Sequence, residues 1–117
     1  MRVLLDESMP RRFGELLAGH AARTVQQMGW TRTRDGELLR RLPDAGIDVL
    51  VTIDRSIPFQ QRIAEAKVGV IVLVAPTNRL VDVAPLAPGV MLALEQIRPG
   101  QVIYVPDEPP PRRRARR

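Results

Sequence analysis

The stretch Ile47-Asp48-Val49-Leu50-Val51-Thr52-Ile53-Asp54-Arg55 decides how the chain is read. Five β-branched residues or leucines flank Asp48 and Thr52, and the run stops on an acid. Such a run is a strand buried on both faces that hands a polar group to the loop at its carboxyl end. Arg2 to Leu5 repeats the pattern and ends in Asp6-Glu7-Ser8. Val68 to Val74 is a third apolar run, leading through Pro76-Thr77 to Asn78-Arg79. Val102 to Val105 reads as the last strand and Ala22 to Val25 as a further short one.

Helical patterns lie between these runs. Pro10 suits a first turn, and Phe13, Leu16 and Leu17 have the spacing of a core-facing helix ending near Gly19. Val25 to Met28 reads as a brief turn closed by Gly29. Asp35 precedes Gly36-Glu37-Leu38-Leu39 and Leu42, which predicts an N-cap opening an amphipathic helix that stops near Gly46. Ile57 to Ala66 is helical in pattern. Pro85 and Pro88 fit the first turn of a helix over Val90 to Ile97, stopped by Pro99-Gly100. Strands alternating with helices predict an α/β fold whose parallel sheet, of about five strands, has helices on both faces. In such sheets ligands bind beyond the carboxyl ends of the strands, which is where Asp6, Asp54 and Asn78 fall.

At 117 residues with 44% hydrophobic content, the chain can bury the core of one domain. The absence of cysteine excludes disulfides, thiolate metal sites and a cysteine nucleophile, and suits the cytoplasm. The longest apolar run, Val68 to Ala75, is far short of the roughly 20 residues that span a bilayer, so no membrane association is expected. The net charge of +5 is concentrated in Arg112, Arg113, Arg114, Arg116 and Arg117. Residues 1–105 carry thirteen basic and eleven acidic groups, a net of +2. The expected organisation is a domain over 1–105 and a disordered Pro/Arg-rich tail over 106–117, able to grip phosphate without sequence preference.

Elimination narrows the chemistry. His20 is the only histidine and lies away from every strand end, so cleavage by paired histidines is unavailable. The chain contains no nucleophile elbow, no dinucleotide fingerprint and no Walker loop. Carboxylates remain. Packed together they repel, and a divalent cation relieves the repulsion; oxygen ligands suit Mg²⁺ or Mn²⁺. Asp6, Asp35 and Asp54 are the expected metal ligands and catalytic residues, with Glu7 and Glu37 as outer members and Thr52 orienting Asp54. Asn78 could coordinate or bond a metal-bound water, and Arg55 and Arg79 could hold substrate phosphate. Each has a plainer reading: Asp35 as a helix cap, Asn78 as a turn residue, Glu37 as a solvated first-turn acid. Trp30 reads as a packing residue.

Taken in order, residues 1–10, Arg23-Thr24-Val25 with Gly29-Trp30, Asp35 to Leu39, Asp48 to Arg55 and Val70 to Arg79 resemble the DUF5615 family of PIN-like domains. The resemblance covers nearly all of the chain to Val105. It implies a three-layer α/β/α PIN-like sandwich and a Mg²⁺- or Mn²⁺-dependent ribonuclease, toxin-like, with RNA as substrate, an antitoxin partner and a homodimeric state. PIN nucleases usually assemble four acids; here Asn78 occupies the fourth place, and Ser8 stands where the family usually has Asn.

Two other functions fit the same residues. One is a catalytically degenerate PIN-like module that binds RNA or a protein. The other is a phosphoacceptor receiver domain, which also places acids after its first and third strands but needs a lysine after its fifth; the only lysine here is Lys67.

Overall fold

The computed structural model describes residues 1–106 as an α/β fold around one parallel sheet. Its strands are β1 (Arg2–Leu5), β2 (Ala21–Thr24), β3 (Val49–Thr52), β4 (Gly69–Leu73) and β5 (Val102–Val105), in the order β2-β1-β3-β4-β5. Registers follow the apolar runs: Leu5 lies opposite Val51, Val51 opposite Ile71, and Ile71 opposite Ile103. Because successive side chains point to opposite faces, each central strand feeds two cores at once.

On one face Val3, Leu5, Val49, Val51, Ile71 and Leu73 pack against Phe13 and Leu17 and against Val83, Val90 and Leu94. The last three come from α3 (Leu80–Val83) and α4 (Ala87–Gln96). On the other face Leu4, Leu50, Val70 and Val72 meet Leu38 and Leu42 of α1 (Asp35–Asp44) and Ile57 of α2 (Ile57–Gln60). Burying an aliphatic side chain of this size is worth about 1.5–3 kcal/mol, so both faces hold the sheet rigid beneath the loops at its carboxyl edge. No helix among the described residues is long and apolar enough to cross a membrane.

Three local expectations change. The segment after Pro10 is a 3₁₀ helix, Arg11–Leu16, whose buried residue is Phe13; Leu17 follows into the core and Leu16 stays exposed. Gly14 permits this close approach, since a Cβ there would stand 3.0 Å from that of Ala22. The helical pattern over 57–66 breaks at Gln61, which is extended, leaving α2 and a 3₁₀ turn, Ile63–Glu65. The cap of α1 is Arg34 rather than Asp35, and Gly46 follows the helix with a φ of 75°. Of the basic segment 106–117, all but Pro106 lies outside the described residues.

Candidate functional site

Strand order reverses beside β1: the chain goes out to β2, then returns to β3 on the other side. The segment after β1 packs Phe13 onto one face, while the segment after β3 packs Ile57 onto the other. The two connections therefore part, and the crevice between them is where sheets of this order take ligands. Asp6 and Asp54 stand at its two sides.

Asp6 is 9% exposed, and its backbone N–H donates to Val51 O at 2.9 Å, extending the β1–β3 pairing by one residue. Thr52, fully buried at the end of β3, donates its hydroxyl to Asp6 Oδ2 at 2.9 Å. Thr52 Oγ1 in turn accepts the Asp54 backbone N–H at 2.9 Å. One hydroxyl thus joins the ends of two strands. Thr52 was expected to orient Asp54; it fixes the Asp54 backbone and the Asp6 side chain.

The two acids share a local design. Ser8 Oγ donates to Asp6 Oδ2 at 3.0 Å, and Ser56 donates to Asp54 Oδ1 through both its backbone N–H (2.9 Å) and its hydroxyl (2.6 Å). Each Asp-x-Ser turn commits one carboxylate oxygen. Asp6 Oδ1 and Asp54 Oδ2 accept no hydrogen bond from the described residues, and neither acid has an ion-pair partner among them. The spacing is visible in Asp6-Glu7-Ser8 and Asp54-Arg55-Ser56, and it was the signal that reading the acids alone missed.

Asp35 occupies the first turn of α1, and no side chain caps that helix through a hydrogen bond. The plainer reading of Asp35 as a cap therefore fails. Its carboxyl is held above the ordinary range, first by loss of water and then by the negative charges of Asp6 and Asp54. The three aspartates share one electrostatic neighbourhood. Among the described residues, no three acidic or histidine side chains already stand together at the spacing of a metal-ligand set.

The outer residues separate. Glu37 accepts from Arg40 at 2.9 Å and Arg41 at 3.2 Å on the surface of α1, which lowers its pKa and uses both oxygens. Glu7 Oε1 accepts the backbone N–H of Arg32 at 3.1 Å, so it ties the loop after β1 to the loop after β2. Asn78 Nδ2 donates to Ser8 O at 2.8 Å across 70 residues of sequence. That bond draws the loop after β4 onto the loop that carries Asp6. Arg79 follows as the cap of α3, its N–H bonded to Thr77 Oγ1 at 3.0 Å. Arg55 and Arg79 are exposed, and no side-chain partner meets either among the described residues.

Lys67 lies before β4, on the amino edge of the sheet, opposite the aspartates. A receiver-type lysine is thus missing from the carboxyl edge. Trp30 is half-buried with the Arg41 guanidinium 5.8 Å from its ring centroid, which supports the packing role. No protein-family model, no curated protein and no solved structure gives a significant match to this chain.

Proposed function

We propose that the carboxyl edge of the sheet is the centre of a metal-dependent ribonuclease. The observation that carries this reading is the Thr52 hydroxyl, which holds Asp6 and Asp54 together while each keeps one carboxylate oxygen without a protein donor. Asp6 is buried without an ion-pair partner among the described residues, which costs stability unless something positive is supplied. An all-oxygen donor set suits Mg²⁺ or Mn²⁺, so the residues present fit such an ion. Asp6 and Asp54 would hold it, with Asp35 completing the set; bound there, the ion would supply neutralisation of phosphate charge and a more acidic water.

In phosphodiester hydrolysis a water oxygen bonds to phosphorus as the bond to the leaving oxygen breaks, and the proton lost by the water ends on that leaving group. Arg55 and Arg79 would hold the phosphate from the loops after β3 and β4, and Asn78 sets the position of Arg79 through Ser8. The pairing with an antitoxin and the homodimer rest on the family resemblance and enter the proposal only with it, while the cytoplasmic setting rests on the absence of cysteine.

A second reading keeps the fold without the chemistry: a PIN-like module that binds RNA or a protein. Asn78 favours it, because an amide tied to a backbone carbonyl replaces the fourth acid. Calorimetry with Mn²⁺ on the wild type, Asp6→Asn and Asp54→Asn, with RNA cleavage assayed in the same buffers, separates the two. Binding and cleavage lost together in both variants support the nuclease; no Mn²⁺ binding by the wild type transfers the function to the binding module.

A further inference from the structure

Arg32 is the only non-glycine residue with a positive φ among the described residues, at 64°. For an arginine this left-handed backbone is uncommon and costs free energy, which persists only where the surroundings enforce it. The enforcing contact is the bond from its N–H to Glu7 Oε1 at 3.1 Å, and Glu7 directly follows Asp6. Around it, Thr33 N–H donates to Trp30 O at 3.1 Å and Trp30 N–H to Val25 O at 3.0 Å, so the loop is ordered on both sides. Three residues later the chain delivers Asp35. Arg32 is therefore tied to the residue after Asp6 and lies three residues ahead of Asp35, exposed, with no partner for its guanidinium among the described residues.

We infer that Arg32 is a substrate-phosphate contact on the β2 side of the crevice, and that Glu7 is its positioning residue rather than a metal ligand. Arg55 and Arg79 belong to the loops after β3 and β4, so Arg32 gives the nucleic-acid backbone a grip on the other side of the aspartates. An RNA strand then crosses the centre with phosphates held before and after the point of cleavage. Arginine suits the task because its planar fork meets phosphate oxygens in pairs. The inference rests on the phosphodiester reading of the same site, so the test reads binding and cleavage separately.

The experiment measures binding of a fluorescent single-stranded RNA to the full chain by anisotropy in EDTA over a range of salt, and cleavage in Mn²⁺. Arg32→Asn removes the charge while keeping a residue at ease with positive φ. The expected result is a several-fold weaker affinity, a salt slope shallower by about 0.7, and a Tm at or above that of the wild type. Arg98→Gln, on the amino edge, controls for bulk charge and should leave the slope unchanged. Glu7→Ala should copy Arg32→Asn, whereas Glu7→Gln, which keeps an acceptor, should not, and neither should alter Mn²⁺ affinity. An unchanged slope in Arg32→Asn, an equal loss in Arg98→Gln, or no RNA binding by the wild type overturns the contact; loss of Mn²⁺ binding in Glu7→Gln overturns the positioning role. Wild type that binds RNA through Arg32 but never cleaves it would overturn the nuclease and leave this inference standing.

Discussion

The two ends of β3 both carry an aspartate, and the edges they mark are opposites. At the amino edge, Asp48 accepts the Arg2 backbone N–H at 2.9 Å and serves the sheet. At the carboxyl edge, Asp6, Asp35 and Asp54 share one electrostatic neighbourhood, and none of them has an ion-pair partner among the described residues. The contrast recurs within the first turn of α1: Arg40 and Arg41 lower the pKa of Glu37, while burial, Asp6 and Asp54 raise that of Asp35. Neighbouring like charges repel, and here the buried Thr52 hydroxyl and the half-buried Ser8 and Ser56 hold Asp6 and Asp54 in place. On the proposed reading, the carboxyl edge is arranged around a cation that the protein does not itself supply.

The largest effect that would break this contrast is at Asp6. Asp6→Asn keeps the shape and the Thr52 bond while removing the charge; it should lower Mn²⁺ affinity by more than the 10–100-fold typical of supporting residues, with RNA cleavage falling alongside. Calorimetry at matched folding, checked by circular dichroism, reads it, and undiminished affinity would end the metal reading. Thr52→Val comes next. It leaves the Asp54 N–H and Asp6 Oδ2 without their buried partner, at about 1–3 kcal/mol in denaturant unfolding. Mn²⁺ affinity should fall about 10–100-fold, since the aspartates lose their common anchor. A stability loss without a metal effect would make Thr52 a core residue only.

All five strands were legible: β1, β3, β4 and β5 as apolar runs, the mark of a parallel strand, and β2 as the short segment read at Ala22 to Val25, shifted by one residue from Ala21–Thr24. The break at Gln61 was not, because the apolar spacing over 57–66 suits one helix as well as two short turns; Gln61 instead lays its Oε1 where a Cβ on Gly36 would be 3.1 Å away. Strand order was also beyond reach, since it depends on which faces the connections cross. At the site, Asp6 and Asp54 were legible from where the strands end. Asp35 and Glu37 were not separable by type. Two positions on a helix lie about 200° apart, so which acid faces the sheet edge depends on how α1 docks. Leu38 and Leu42 settle that by seating against Leu4 and Leu50.

Asp35 offers a finer break in the contrast, through pH. A carboxyl whose pKa is raised by folding supports the folded state below its ordinary value of 3.8 and loses that support as pH climbs through the raised value. At neutral pH without metal, Asp35→Asn should therefore raise Tm, by the few degrees at most that a change below about 1 kcal/mol gives a domain of this size. The gain should vanish in acid, where both side chains are neutral. Saturating Mn²⁺ should reverse the order, because the wild type gains stability from an ion the variant holds less well. Melting curves at several pH values with and without Mn²⁺ test this, and a variant less stable than wild type in EDTA at neutral pH would remove the charge repulsion from the account.

The smallest expected effect sharpens the comparison from the other edge. Asp48→Asn leaves an amide oxygen that still accepts the Arg2 N–H, and Asp48 is exposed, so stability should stay within about 0.5 kcal/mol of wild type. Mn²⁺ binding and RNA cleavage should not change, since β3 separates Asp48 from the aspartates at its far end. The variant removes the same single negative charge as Asp54→Asn, one strand length away. If removing charge at either end of β3 weakened Mn²⁺ equally, binding would be diffuse attraction to an acidic surface; a loss confined to Asp54→Asn ties it to the edge where Thr52 joins two strands.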